Sequence, residues 1–193
     1  MAEPRRTRPS PAKCIAATLL VMVVILAIVI LIWLFLHPTK LRFSVDHAAA
    51  AGFNLTSAGA LTGAFDLTLR SYNWNERAAV SYRSLEVGVW YDGEYIAGAQ
   101  APGFFQPPEN ETRVDVATQA APTPLPRDVE DAIKRERTTS GKMTVDVHVR
   151  AKARFRYGVV STRRYTVRAS CPAVVVDFSA PTKFDRVYCH VHI

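Results

Sequence analysis

The chain has 193 residues, enough for one domain of ordinary size plus an anchor, but short for two domains. Its 49% hydrophobic content is unevenly spread, and removing one N-terminal apolar run leaves the composition of a soluble domain able to bury a real core. The net charge of +7 divides into +3 from residues 1–13 and +4 from His37 onward, where 20 bases meet 16 acids without any Lys/Arg-rich motif; nucleic-acid binding is therefore set aside.

Residues 1–13 carry Arg5, Arg6, Arg8 and Lys13 against Glu3, among Pro4, Pro9 and Pro11. This reads as a cytosolic basic tail without fixed structure, able to hold anionic headgroups. Cys14–Leu36 follows, 23 residues free of charge and nearly all Ala, Val, Ile and Leu. At about 1.5 Å per residue such a helix spans roughly 34 Å, enough to cross a hydrocarbon core of about 30 Å. A cleaved signal peptide fits less well, because its apolar region is usually shorter and no small-x-small pattern follows. Trp33, Phe35 and His37 stand where aromatic side chains meet headgroups, and Pro38 stops the helix. Four bases before the helix and two after it, Lys40 and Arg42, keep the N-terminus in the cytosol by the positive-inside rule. Cys14 is a plain membrane thiol or a palmitoylation site at the cytosolic edge.

Residues 37–60 are expected to be a membrane-proximal segment, and residues 61–193 a β domain. Apolar side chains then recur at every second position, the period of a half-buried strand. Leu61, Gly63, Phe65, Leu67 and Leu69 mark the first strand. Val80 and Tyr82, then Leu85, Val87, Val89 and Tyr91, mark a second whose phase slips at Arg83-Ser84, as across a β-bulge. Asp92-Gly93 predicts a hairpin turn into Tyr95-Ile96-Ala97, and Thr112–Ala117 a shorter strand. Arg127–Arg137 predicts a short surface helix, with acids first and bases last, and with Glu130–Lys134 and Asp131–Arg135 spaced to pair. Thr144–Tyr157 is the clearest strand: Val145, Val147, Val149, Ala151, Ala153 and Phe155 face one way, and His148, Arg150, Lys152, Arg154 and Arg156 the other. Past a turn at Tyr157-Gly158, Tyr165, Val167, Ala169 and Cys171 alternate with Arg164, Thr166, Arg168 and Ser170. The phase changes past Pro172, and Val187–Ile193 forms the last strand. Short antiparallel strands joined by Gly/Pro turns imply a sandwich.

Cys171 and Cys189 both fall on inward faces of late strands on the oxidising side. They are either bridged, which would contribute about 3 kcal/mol, or two buried thiols. Asn54-Leu55-Thr56 and Asn110-Glu111-Thr112 fit the N-glycan acceptor pattern, with Asn54 and Asn110 as acceptors.

Beyond these periodicities, Asn73-Trp74-Asn75, Tyr82, Tyr91-Asp92-Gly93, Ile96 and Pro102-Gly103-Phe104-Phe105-Gln106 come in an order and spacing that resembles the plant NHL family, the non-race-specific disease resistance and harpin-induced-like proteins with a late embryogenesis abundant group 2 domain. The likeness covers nearly the whole chain, from the basic tail to the Cys-x-Val-x-Ile ending, and its motif residues here are Asn73, Asn75, Tyr91, Gly93, Pro102, Phe104 and Gln106. The chain departs from the pattern where Trp74 replaces the proline of Asn-Pro-Asn. The resemblance implies an immunoglobulin- or fibronectin-like β-sandwich at the plasma membrane, a role in pathogen defence or abiotic stress, and no enzymatic activity.

The residues themselves offer little catalytic chemistry. There is no Gly-x-Ser-x-Gly elbow, phosphate-cradling loop, His-Glu-x-x-His or Cys-x-x-Cys. His190 and His192 share one face of the last strand, but only Asp185 is near in sequence, so they read as exposed histidines. Glu109/Glu111 and Glu130/Asp131 read as solvated charges. No catalytic, metal or cofactor site is assigned. The cations Arg150, Lys152, Arg154, Arg156, Arg164 and Arg168 form either a solvated face or an anion-binding patch for acidic cell-wall polysaccharide, lipid headgroups or an acidic protein. Across the hairpin, Arg150, Lys152 and Arg154 are expected to face Arg164 and Arg168. Two readings follow: a defence or stress protein that binds through its outer domain, or a structural membrane-to-wall tether or dehydration protectant. Self-association stays open in both.

Overall fold

The computed structural model describes residues 11–35, 41–55, 60–120, 123–178 and 184–193. The chain divides into Met1–Pro38 and Thr39–Ile193. The first unit holds helix α1, Pro11–Phe35, of 25 residues. Among the described residues it is the one helix long and apolar enough to cross a membrane, over Pro11–Trp33. It starts ahead of the expected Cys14 because a proline is well tolerated in a first turn, so Pro11, Ala12 and Lys13 are helical. Thr18 Oγ1 donates to the Cys14 carbonyl at 2.9 Å, which satisfies its hydroxyl inside the helix. The expected tail at 1–10 and the segment end at Leu36 and His37 lie outside the described residues.

The second unit contains β1 (Leu41–Leu55), β2 (Ala60–Asn73), β3 (Ala79–Tyr91), β4 (Glu94–Pro102), β5 (Phe105–Gln106), β6 (Asn110–Gln119), β7 (Thr123–Pro124), α2 (Arg127–Ser140), β8 (Lys142–Tyr157), β9 (Val160–Ser161), β10 (Tyr165–Asp177), β11 (Val187–Tyr188) and β12 (His190–His192). Seven strands close a barrel-like ring in the order β1-β2-β6-β4-β3-β8-β10 and back to β1. Most neighbours are antiparallel and paired over long ladders. Two seams are thin: β4 meets β6 at Gly98↔Gln119, and β1 meets β10 in parallel at Ala49↔Asp177.

The domain begins earlier than the sequence suggests. Residues 41–55 were expected in a membrane-proximal segment, yet β1 pairs with β2 from Leu41↔Asn73 to Leu55↔Leu61. Leu41, Phe43 and Val45 point inward, but a bulge between Val45 and His47 and the run Ala48–Ala51 hide the alternation further on. Two further bulges fall where the phase slips, at Tyr82/Leu85 in β3 and at Cys171/Val174 in β10.

Inward positions of the ring form one core that includes Phe43, Phe65, Leu69, Leu85, Val147 and Phe155. Helix α2 adds buried Val129 and Ile133, and ends at Gly141, whose N–H donates to the Arg137 carbonyl at 3.1 Å. It runs three residues beyond the expected Arg137, because Thr138 Oγ1 and Ser140 Oγ bond back to the carbonyls of Lys134 and Glu136. Lys134 pairs with Glu130 as expected. Arg135 instead donates to the backbone carbonyl of Asp131.

The last expected strand is two short pieces. β11 pairs with β1 (Ser44↔Tyr188) and β12 with β10 (Arg168↔His192), so the C-terminal segment crosses the thin β1–β10 seam. Three ties hold it there: Cys189 N–H to the Phe43 carbonyl at 2.9 Å, Arg186 to Asp46 at 2.9 Å, and a disulfide between Cys171 and Cys189.

Candidate functional site

The alternation of β8 leaves Arg150, Lys152, Arg154 and Arg156 exposed on the outer face of the sheet. The ladders align them into rows. One row runs Glu86–Arg150–Arg168–His192 across β3, β8, β10 and β12; the next runs Gly88–His148–Ser170–His190. Of the like-charge pairs expected across the hairpin, the ladder places only Arg150 and Arg168 directly opposite. Lys152 faces Thr166, and Arg154 faces Ser81 of β3. The β10 ladder stops at Tyr165, which leaves Arg164 in the preceding loop.

The six cations divide among three places. Lys152, Arg154 and Arg164 surround a hollow of about 340 Å³ that is completed by Ser81, Ala153 and Arg83, with no carboxylate in its lining. Arg83 was not assigned to the face from sequence. The slip at Arg83-Ser84 was its signal, since a bulge re-aims the side chains within it. Arg150 and Arg168 line a larger groove of about 540 Å³ together with Glu86, Trp90, Tyr95, His148 and His192. A Cβ on Gly88 would lie 2.3 Å from the Trp90 ring, so glycine is what lets that ring lie against the sheet. Tyr95 and His148 flank the Trp90 ring at centroid distances of 5.0 and 4.6 Å. Arg156 sits apart, its guanidinium 5.9 Å from the Phe105 ring.

Charge pairing separates this face from the strands beyond the seam. Among the described residues, none of the six cations forms an ion pair with a carboxylate. On β1, β2 and β6 the pattern is reversed: Asp46 takes both Arg70 and Arg186, Arg70 also reaches Glu111, and Arg113 pairs with Asp115 at 3.0 Å. Thr68 and Arg113 donate to the Asp115 carboxyl, which holds its pKa below the usual value.

The motif residues do different work, joining the barrel's parts. Asn73 is buried; its Nδ2 donates to the carbonyls of Ala78 and Pro107 at 2.7 and 2.9 Å, and its Oδ1 accepts from Asn75. Gln106 is 0% exposed and donates to the carbonyls of Ser71 and Asn110, both at 2.8 Å, while accepting from Ser71 Oγ at 3.1 Å. Ser71 Oγ also meets the Tyr82 hydroxyl at 3.3 Å. Burial pushes Tyr82 up to about 12, against the opposing effect of that hydrogen bond. Gly103 passes so close to β3 that a Cβ would fall 2.3 Å from the carbonyls of Tyr82 and Arg83. Phe104 packs on Tyr82 at 4.6 Å. Tyr91 binds α2 through Glu136, and burial with that carboxylate raises its pKa. Pro102 ends β4 exposed, and Asp92-Gly93 forms the turn between β3 and β4. Trp74 takes the proline's place without burial, packed against Tyr72 at 4.5 Å and under Arg42 at 5.2 Å.

Asn54 and Asn110 are exposed, at the far part of β1 and at the start of β6. Cys14 is a free, exposed thiol on α1. His190 and His192 are exposed on β12, and no third His, Cys, Asp or Glu gathers with them among the described residues.

Comparison with known proteins agrees with the motif reading. The family model described as "Late embryogenesis abundant protein" matches residues 68–171, from β2 to the bridged Cys171. NDR1/HIN1-like protein 26 of Arabidopsis thaliana is 31% identical over 154 residues, covering 78% of this chain and 72% of that protein. NDR1/HIN1-like protein 12 of the same plant is 26% identical, covering 80% and 73%. A solution structure of an Arabidopsis thaliana protein superposes with a TM-score of 0.36 at 10% identity, over 74% of this chain and 87% of that one. With the motif residues forming the joints of the domain and the match spanning more than half its length, the chain belongs to the late embryogenesis abundant group 2 family and to the NHL proteins within it.

Proposed function

We propose that this chain is a single-pass plasma-membrane protein of plant stress and defence that acts by binding rather than catalysis. It holds its β domain outside the cell and takes an acidic polysaccharide on the cationic face of β3, β8 and β10. The observation that carries this reading is the unpaired charge. A face kept only for solubility gains from mixed signs, as on β1, β2 and β6, whereas uncompensated cations raise the local potential for an anionic ligand. Trp90 and Tyr95 beside Arg150 and Arg168 add flat apolar surface next to guanidinium forks, which suits a sugar ring bearing a carboxylate. The thin seams support treating the ring as two packed layers of the immunoglobulin/fibronectin sandwich type. Family membership supports the stress and defence assignment.

Changing Lys152 and Arg154 together to Glu should abolish retention of the full-length protein on demethylated pectin, while the core under Val149, Ala151 and Phe155 keeps its melting temperature. Retention of the unmodified protein should fall steeply with salt, as the Debye length shrinks from about 10 Å at 0.1 M to about 3 Å at 1 M. Unchanged, salt-insensitive retention of the double variant eliminates the face as a binding site. Orientation is tested in microsomes: Asn54 should accept a glycan, and glycosylation of an engineered site ahead of Pro11 in its place would reverse the topology.

A further inference from the structure

The register of the ring brings one set of loops to a single end of the domain. β1 starts there at Leu41 beside Asn73 at the end of β2. β3 starts there at Ala79 opposite Arg156 near the end of β8, and β10, parallel to β1, starts there at Tyr165. The connecting loops are 74–78, 103–104 with 107–109 around β5, and 158–164 with β9. They carry Trp74 (47% exposed), Phe105 (53%), Val159 (102%) and Val160 (57%), four of the large apolar side chains left exposed on the domain. Val159 and Val160 form the tip of the β8–β9 hairpin, where Tyr157 pairs with Val160. Arginines stand among these side chains. Arg42 lies over Trp74 at 5.2 Å, Arg156 over Phe105 at 5.9 Å, and Arg163 over Tyr165 at 5.4 Å.

We infer that this end of the domain is a membrane-docking surface, with Val159 and Val160 entering the headgroup–acyl boundary and Trp74 and Phe105 at headgroup level. The inference rests on the anchoring reading of α1. The occupant follows from three features. First, this is the end at which the chain enters the domain, at Leu41 beside Asn73. Second, Trp74 is a half-exposed indole, and tryptophan is a side chain that settles at a membrane–water interface. Third, the arginines beside the rings offer guanidinium forks to lipid phosphates, and the β8–β10 connection that carries Val159 and Val160 holds no acid between Arg154 and Arg168, while Glu76 and Glu109 stand in the other two loops. An extracellular polymer would instead find the cationic face of β8 open. The two surfaces therefore have separate roles: the end meets lipid, and the face meets the polymer.

The test uses the full-length chain in nanodiscs containing about one-third anionic lipid, with Cys14→Ala so that only introduced cysteines are labelled. A spin label at Val159→Cys should be several-fold less accessible to an aqueous nickel chelate than one at Asp92→Cys on the opposite end, and more accessible to oxygen dissolved in lipid. Charge reversal of Arg156 and Arg163 to Glu should raise aqueous access at 159 without altering it at 92, which also reports that the fold is intact. A label at Val24→Cys, inside α1, tests the anchoring reading separately: burial at 24 with full aqueous access at 159 overturns the docking surface alone. Protection at 159 that occurs only in discs holding two copies, with dipolar coupling between labels, assigns this end to a second copy and also overturns it.

Discussion

Replacing Cys171 and Cys189 together with Ala tests how the barrel is closed. The β1–β10 seam has a single register pair, and the C-terminal segment crosses it through β11 on one side and β12 on the other. The bridge spans a sequence separation of 18. Loop-closure entropy for that length is worth about 3 kcal/mol at 25 °C, and alanine at the fully buried Cys171 avoids adding an unsatisfied hydroxyl. For a domain of this size that corresponds to a fall in melting temperature of roughly 6–12 °C. Hydrogen exchange should resolve the mechanism. Protection should be lost at Cys189→Ala, whose N–H bonds Phe43, and along the Arg168–Ser170 and His190–His192 ladder, while the Val145–Phe155 core of β8 stays slow. The full-length chain in detergent micelles, followed by thermal circular dichroism and exchange mass spectrometry, gives both readings. A melting temperature within 2 °C of the unmodified protein, with the seam still protected, would refute the idea that the bridge secures the closure.

Two other perturbations probe the motif residues. Gln106→Ala leaves the buried carbonyl of Ser71 without its donor, at about 1–3 kcal/mol, breaks the bond to the Asn110 carbonyl and opens a cavity; the domain should melt roughly 4–12 °C lower. Tyr82 should make the domain sensitive to alkali. Its folded pKa of about 12 lies above the ordinary tyrosine value of 10.0, so the native state holds the proton longer. That stabilisation is complete below pH 10 and is lost as pH rises toward 12, by up to roughly 3 kcal/mol. In a urea titration at each pH, Tyr82→Phe should show a shallower loss over that interval, and an identical slope would remove Tyr82 from the account.

Most of the domain's strands were legible because their buried and exposed positions alternate, β8 without interruption from Met143 to Phe155. Bulges were legible as slips of phase, at Arg83-Ser84 and past Pro172. What escaped was set by pairing rather than pattern. β1 carries four consecutive alanines and a bulge, so its membership of the ring appears only against β2. The Val187–Ile193 run alternates as one strand would, and nothing local says that its two halves bond different neighbours. The split of the six cations also depends on register: Arg83 enters the hollow from β3, and Arg156 leaves the face for Phe105.

The motif residues and the exposed cations answer different physical demands. Asn73 and Gln106 supply donors for the backbone carbonyls of Ala78, Pro107, Ser71 and Asn110, and an unmet buried acceptor among these costs more than a typical net hydrogen bond contributes. A residue in that position has little freedom to change chemistry, so such positions report the fold. Arg150, Lys152 and Arg154 sit on positions where almost any polar residue would keep the strand folded, because the inward Val149, Ala151 and Ala153 do the packing. Solubility needs only a few charges of mixed sign there, yet the outer positions of β8 from Arg150 to Arg156 hold four cations in succession, with Arg168 facing the first of them. The direct Arg150–Arg168 opposition is unfavourable by itself. Under the proposed function a ligand carrying negative charge would offset that opposition, and a face free of packing constraints can hold such cations where the motif residues cannot.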